Sequence, residues 1–254
     1  MKISVAVITK NEETNISRMI TSCNSFNEIV IVDSGSDDST VETAISLGAR
    51  CIKSWWRGFG AQKQFAVESC SNDWVLSLDA DEELSDALSQ EIKRLSLDDF
   101  TLAFEFKRVS YFLGKPVRFS GWQNDYVVRL FNRKKAHFSN DLVHEKITGY
   151  ENKIRLARGI IYHYSYRSKD DVDRKIQLYG ELGAQKLLET GVKPTGLYLA
   201  HAKSIFAFVR TFILRLGFLD GKTGFQIANM NREVTLKKYK RFAELCALKP
   251  TEGQ

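Results

Sequence analysis

A chain of 254 residues, 43% apolar, 27% charged and 11% aromatic with 3 prolines, holds one large domain or a catalytic domain with a helical appendage, and is not a disordered, collagen-like or disulfide-scaffold protein. Its formal net charge of +6 is confined to one end: of 37 basic and 31 acidic residues, residues 200–254 hold 10 and 4, leaving 27 of each in residues 1–199. So local a bias predicts either a basic surface for a partner or a solvated helical tail, and none on the main body.

Residues 3–8 form an apolar run that reads as a strand, and residues 12–25 follow as a helix with Ile16, Met19, Ile20 and Cys23 on one face. Residues 28–32 give a second strand and 37–47 a second helix, which Gly48 is placed to end. A short third strand holds Cys51 and Ile52, residues 60–69 are helical, 74–78 form a fourth strand, and a helix over 84–95 opens at Ser85 or Asp86. Strands this apolar, alternating with helices, predict a parallel sheet covered on both faces. Extended segments over 102–112, 126–131 and 160–164 suit an antiparallel or mixed annex, and helices over 170–189, 197–216 and 225–247 complete the chain. The expected organisation is an α/β catalytic domain over 1–165 and a helical region over 166–254.

Cys23, Cys51, Cys70 and Cys246 lie far apart, with no CxxC and no histidine at metal-ligand spacing, as expected of reduced, mostly buried thiols in a cytosolic protein. The opening MKISVAVITKNEE has too short an apolar run for a signal peptide. No stretch reaches roughly eighteen uncharged apolar residues, so no membrane span is expected.

In an open parallel sheet, ligands bind beyond the carboxyl ends of the strands. Those places hold Thr9-Lys10-Asn11-Glu12, Asp33-Ser34-Gly35-Ser36-Asp37-Asp38-Ser39-Thr40 and Asp79-Ala80-Asp81-Glu82-Glu83. Carboxylates and hydroxyls thus converge at three strand ends. Asp79 and Asp81 suit a divalent cation, Mg²⁺ or Mn²⁺ bridging a diphosphate, or one of them suits a sugar hydroxyl. The alternative is that Asp81, Glu82 and Glu83 charge the N-terminus of the next helix. Ser36 or Asp37 suits a helix cap. Asp33 suits a nucleobase N–H or a ribose hydroxyl and is harder to explain structurally. Neither GxGxxG nor GxxxxGK[ST] occurs, which excludes a dinucleotide fingerprint and a P-loop.

Together the runs SVAVITKNEE, IVDSGSDDST and VLSLDADEEL resemble the inverting family 2 glycosyltransferases with the GT-A fold. The resemblance implies a Rossmann-like, mostly parallel central sheet flanked by helices, with a C-terminal helical extension. It implies that Thr9, Asn11, Glu12 and Asp33, with Ser34 beside them, line the nucleoside pocket, and that Asp79 and Asp81 are the DxD pair meeting ribose and metal-bound diphosphate. Many members carry a second Asp where this chain has Ser34. Further on, DYVVRLF over 125–131, LVHE over 142–145 and GFLDGKTGF over 217–225 resemble the bacterial lipopolysaccharide inner-core β-1,4-glucosyltransferases. That implies transfer of glucose from UDP-glucose to a heptose of a lipid-anchored inner core, at the inner face of the cytoplasmic membrane.

Inversion by direct displacement needs one general base for the acceptor hydroxyl. Many family members present it in a Glu-Asp pair, which is missing here after the DxD. Glu145 is the expected base, with His144 positioning diphosphate, metal or acceptor. Asp125 and Asp141 rank behind it, unless Glu145 merely pairs with Lys146, Arg129 or Arg133. The stretch Trp55-Trp56-Arg57-Gly58-Phe59-Gly60 offers Trp56 for stacking on a sugar, with Arg57 or Lys63 for phosphate, or else it packs the core. Trp122 and Arg129 are the other expected acceptor contacts.

The run IFAFVRTFILRLGFL, interrupted by Arg210, Thr211 and Arg215, precedes Lys222, Arg232, Lys237, Lys238, Lys240 and Arg241. It suits an anionic membrane interface, or a core-covering helix with snorkelling arginines. Among other functions, an idle nucleotide-sugar-binding protein needs no base. A glycoside hydrolase leaves the strand-exit pair unexplained, and no nucleic-acid-reading module accompanies the basic tail.

Overall fold

In the computed structural model, which describes residues 2–139, 145–192, 194 and 196–248, the first half of the chain alternates as its apolar pattern predicts. In chain order it runs β1 (Ile3–Thr9), α1 (Glu13–Cys23), β2 (Glu28–Asp33), α2 (Thr40–Ser46), β3 (Arg50–Lys53), α3 (Phe59–Glu68), β4 (Trp74–Asp79), β5 (Glu82–Leu84) and α4 (Asp86–Lys93). Then come β6 (Leu102–Phe112), β7 (Lys115–Pro116), β8 (Tyr126–Asn132), β9 (His137–Phe138), β10 (Ile147–Thr148) and β11 (Asn152–Tyr166). Three helices follow: α5 (Lys169–Glu189), α6 (Leu197–Val209) and α7 (Lys222–Leu248).

The described residues cluster into two units, one running up to Val109 and including Asp125–Tyr164, the other made of Ser110–Asn124 and the residues from Ser165 onward. Segment 110–124, which a boundary at 165 leaves with the first domain, therefore packs with the helices. Its backbone explains why: the Asp220 carboxylate accepts from the N–H groups of Arg118 and Phe119, both at 3.0 Å, and from the Ser120 hydroxyl at 2.8 Å.

In the first unit the main sheet has the order β3-β2-β1-β4-β8-β6-β11-β5. Strands β3, β2, β1 and β4 are mutually parallel, and β8 turns antiparallel to both β4 and β6. Alternation along β1 explains burial on both faces. Ile3, Val5 and Val7 join Ile16, Met19 and Ile20 of α1 on one side, while Ala6 meets Val30, Val32, Ala66 and Val67 on the other. This parallel core places the ends of β1, β2 and β4 side by side, since Thr9 registers with Asp33 and Ile8 with Asp79.

Three boundaries differ from the sequence pattern. The helix expected from Leu84 begins at Asp86, because Glu82–Leu84 forms a strand against Ile161–His163 of β11 and Ser85 caps α4 by accepting from the Leu88 N–H at 3.3 Å. Helix α2 begins at Thr40 rather than near residue 37. Neither Ser36 nor Asp37 caps it: the Asp38 carboxylate binds the N–H of Thr40 at 3.0 Å and its hydroxyl at 2.5 Å, and the Ser36 hydroxyl is committed elsewhere. The last extended segment, expected over 160–164, is the 15-residue strand β11.

In the second unit α5 opens with a reciprocal cap between Ser168 and Asp171, and Phe112, Val117, Ile176, Ile227 and Met230 form a small core. Gly224 is obligatory there, because any side chain at that position would run into the carbonyl oxygen of Gly217. The helix expected over 197–216 does not run through. After Val209 it widens into a π-helical turn over Arg210–Leu214, Leu216 adopts a left-handed φ of 56°, and Gly217–Asp220 makes a tight 3₁₀ turn. By length and composition Leu197–Leu214 is long and apolar enough to cross a membrane, with mean hydropathy 1.3 despite Lys203 and Arg210. Lys203 and Arg210 lie within it, so the expectation that no uncharged apolar stretch of that length occurs still stands.

Cys23 and Cys70 are buried, and Cys51 and Cys246 are half-buried. Burial pushes the Cys23 and Cys70 thiols up to about 12, which leaves them protonated and unreactive at neutral pH.

Candidate active site at the strand ends

The loops leaving β1 and β2 are laced together by the polar residues that the sequence places there. The Asn11 N–H donates to the Ser36 hydroxyl at 2.9 Å, and the Asn11 side chain accepts from the Asp37 N–H at 3.0 Å. The Glu12 N–H donates to the Thr40 hydroxyl at 2.8 Å, and its carboxylate accepts from Asn15 at 2.8 Å. Asp33 is buried, and its carboxylate accepts from the N–H groups of Gly35 at 2.9 Å and Ser36 at 3.0 Å and from the Ser36 hydroxyl at 2.5 Å. This gives Asp33 the structural role that the sequence did not reveal: it holds its own turn, in which Gly35 takes a left-handed φ of 89°. Ser34 accepts from the amide of Gln62 at 3.1 Å.

Beyond β4 the carboxylates meet cations instead of backbone. Lys63, projecting from α3, lies 2.7 Å from Asp79 and 2.8 Å from Glu145. Arg129, on β8, lies 2.5 Å from Asp79 and 2.6 Å from Glu82. Arg108, on β6, lies 3.1 Å from Glu82 and 2.8 Å from Asp125. One unbroken series of charges thus runs Glu145, Lys63, Asp79, Arg129, Glu82, Arg108, Asp125. Its hub is Glu82, whose side chain is fully buried and also accepts the Asp79 N–H at 3.1 Å.

Burial by itself would raise the pKa of Asp79, but Arg129 and then Lys63 outweigh it and hold the carboxyl far below the usual carboxylate range. Burial likewise opposes the Lys63 ammonium. The charges of Asp79 and Glu145 prevail over that and over the neighbouring Arg129, keeping Lys63 above its ordinary pKa.

Asp81 faces a different partner. Its Oδ2 lies 3.3 Å from Nε2 of His163, which β11 brings in opposite Glu82. A carboxylate oxygen and an imidazole nitrogen form a fitting partial ligand set for Mn²⁺ or Mg²⁺, which fill their remaining positions with water and phosphate oxygens. The charge balance points the same way. Four carboxylates face three cations in the series and Asp81 adds a fifth, so an anionic diphosphate would enter a net-negative site without a cation. Asp79 fits a metal less well than expected, because Lys63 and Arg129 already occupy its two oxygens. Among the described residues no group of three or more His, Cys, Asp or Glu forms a cage.

The fold therefore brings Thr9, Asn11, Glu12, Asp33, Ser34, Lys63, Asp79, Asp81, Asp125, Arg129 and Glu145 into one unit. Arg129, expected at the acceptor, is instead buried in the charge series, and Glu145 pairs with Lys63 rather than with Lys146, Arg129 or Arg133. Trp56 is half exposed, edge-on to Phe59 at 4.8 Å. Trp122 belongs to the other unit, stacked on Tyr166 at 5.7 Å and against Phe112. His144 and Asp141 lie outside the described residues.

Glu82, read in the sequence only as charge at a helix start, and three side chains not singled out there, Arg108, His163 and Gln62, complete the site. Gln62 is fully buried, and among the described residues its amide oxygen, the Thr9 hydroxyl, Arg129 Nε and, at the far end of β8, Asn132 Nδ2 lack hydrogen-bond partners. Near the end of β4, the unpartnered atoms of Thr9, Gln62 and Arg129 are free to take a ligand or water. No sequence signal marked Gln62, which stands in a mixed polar turn beside Lys63 and Gln64.

Comparison with known proteins shows the family. The model of the family described as Glycosyl transferase family 2 matches residues 4–150. An uncharacterized glycosyltransferase of Rickettsia prowazekii is 38% identical over 238 residues, covering 88% of this chain and 80% of the relative. The lipopolysaccharide core biosynthesis glycosyltransferase LpsC of Rhizobium meliloti is 31% identical over 238 residues, covering 88% of each. Among solved structures, glucosyl-3-phosphoglycerate synthase from Mycobacterium tuberculosis, in complex with Mn²⁺, uridine diphosphate and glucosyl-3-phosphoglycerate, is 25% identical. It covers 43% of this chain and 44% of that one, with a TM-score of 0.35.

Proposed function

The chain belongs to glycosyl transferase family 2 and has the α/β fold of GT-A enzymes, and from that premise we propose that it is a metal-dependent, inverting hexosyltransferase. Its donor is UDP-glucose and its acceptor a heptose of the lipopolysaccharide inner core. The observation that carries the reading is the charge series beyond the end of β4, with Asp79 clamped between two cations and Glu145 at its edge. The likeness to LpsC supports the acceptor class. Because that acceptor is anchored in lipid, the enzyme works as a peripheral protein on the inner face of the cytoplasmic membrane.

The nucleoside enters between the laced loops, where Thr9 and Gln62 offer their unpartnered oxygens and Asn11, Glu12, Asp33 and Ser34 form the wall. Lys63 and Arg129 balance the diphosphate charge. Asp81 and His163 would hold Mg²⁺ or Mn²⁺, which would supply Lewis-acid neutralisation of the leaving diphosphate. Glu145 takes the proton of the acceptor hydroxyl as that oxygen bonds to the anomeric carbon, and the bond to UDP breaks on the opposite face, inverting the centre. Lys63, 2.8 Å away, orients the Glu145 carboxylate for this step, and Trp56 offers a stacking face to a sugar ring.

UDP release from UDP-glucose, measured with Mn²⁺ and with or without a heptose-bearing acceptor, tests the reading. Release that needs both cation and acceptor is expected. Tight UDP-glucose binding with no release on any acceptor would identify an idle binding protein instead.

A further inference from the structure

Helix α6 is built inside out. Ala200, Ser204, Ala207 and Thr211, spaced four, three and four apart, form its buried face. That face packs on α7, where Asn231 donates to the Thr211 hydroxyl at 3.0 Å. The large apolar side chains point the other way: Phe206 is 58% exposed and Leu214 65%, against 4% for Ala207. Tyr198, Ile205, Ile213 and Leu219 join them outside.

A helix covering a water-soluble core buries its large apolar residues and exposes polar ones. Small residues between helices with Leu, Ile and Phe outside are the arrangement of helices that meet lipid. The charges agree. Among the described residues of 196–225, the exposed ionic side chains are Arg210, Arg215 and Lys222, all basic. The one acid, Asp220, is engaged with residues 118–120.

We propose that the outward face of α6 and the turns after it inserts in the plane of an anionic bilayer, with Arg210, Arg215 and Lys222 on the headgroups. This deepens the peripheral-membrane reading above by naming the surface and its mode of contact. The face seats in the plane rather than spanning. Helix α7, to which α6 is bound along its length, carries Arg232, Glu233, Lys237, Lys238 and Lys240, charges that a spanning position would drag into hydrocarbon. A second copy fits poorly, since a two-fold contact would set the three basic residues against themselves. Nor does the basic run of α7 provide the surface. The stems of Lys237 and Lys238 lie over Gly180 and Gly183 of α5, and Arg241 pairs with Glu181 and Glu244.

Flotation of the full chain with phosphatidylethanolamine–phosphatidylglycerol vesicles, without donor or acceptor, decides the matter. Binding that persists in high salt is expected. Combining Phe206→Ser, Ile213→Ser and Leu214→Ser should lower high-salt partitioning on the order of a hundredfold, from the apolar area kept out of lipid. Combining Arg210→Gln, Arg215→Gln and Lys222→Gln should weaken binding in low salt only. Phe206→Trp gives a reading independent of the triple variant's folding: its added emission should be quenched by lipids brominated in the acyl chain.

Three results would overturn the proposal: complete release of the wild type by salt, no quenching at position 206, or a vesicle-free dimer that the apolar variant converts to monomer. The last would assign the face to a second copy. Because no sugar enters this experiment, its failure leaves the transfer reading standing, and transfer to a delipidated acceptor tests that reading separately.

Discussion

Asp33 and Asp79 end the two strands that flank β1, one residue apart in register, yet their surroundings are opposite. Asp33 is held by the N–H groups and hydroxyl of its own turn, within three residues of itself. Asp79 is held by Lys63 and Arg129, brought in from α3 and β8. A carboxylate bound by local backbone is part of the scaffold, because nothing that binds later offers it better partners. A carboxylate bound by side-chain cations belongs to a set of charges that a diphosphate and a metal can rearrange. On the proposed reading, the loop after β2 shapes the pocket and the loop after β4 carries the chemistry.

That division is tested most severely at Asp81. Asp81→Asn should leave the fold intact and lower kcat about a thousandfold or more, because charge building on departing UDP loses its stabilisation. Full turnover by the variant, or by the wild type in EDTA, would remove Asp81 from the metal site. Next, Glu145→Gln should retain UDP-glucose binding by calorimetry and lose transfer by roughly two to four orders of magnitude, the scale of general-base removal. A nearly normal Glu145→Gln beside a dead Asp125→Asn would move the base to the other end of the charge series.

On the β2 side, Asp33→Asn should raise KM for the donor about tenfold with kcat little changed, the signature of a wall rather than a reacting group. A collapse of kcat would erase the contrast between the two loops.

The smallest effect belongs to the amino ends of the same strands. Glu28 accepts from Ser4, Ser71 and Arg50. Burial raises its pKa, but these hydrogen bonds outweigh it and bring the value down from 4.5 to about 2. A depressed carboxyl stabilises the fold fully above its unfolded pKa, and that stability is lost as pH falls toward the folded value. With solvent screening the contribution is about 1–2 kcal/mol. Glu28→Gln should flatten the fall in unfolding free energy between pH 4.5 and 2, with activity at neutral pH unchanged.

Much of this was legible in the sequence. The apolar runs of β1, β2 and β4 are local and nearly all buried, so their period and their polar ends located the candidate site directly. Glu82 was read only as charge at a helix start, because a three-residue strand leaves no periodic trace and exists here only through pairing with β11. His163 escaped notice for the same reason: its neighbour Asp81 is set by strand register. Lys63 and Glu145 are 82 residues apart, and no local pattern joins them.

What the sequence determined alone is what short-range sterics and hydrophobic periodicity dictate: the order of strands and helices, the turn at Gly35, and the carboxylates left where strands stop. Pairing and packing between distant segments decided the rest. The tertiary structure chose which cation meets which acid, gave Glu82 its place at the hub, and turned α6 so that its small residues face α7. In a segment apolar on every side no periodicity marks the inner face, and only the shape of the neighbouring helix selects it.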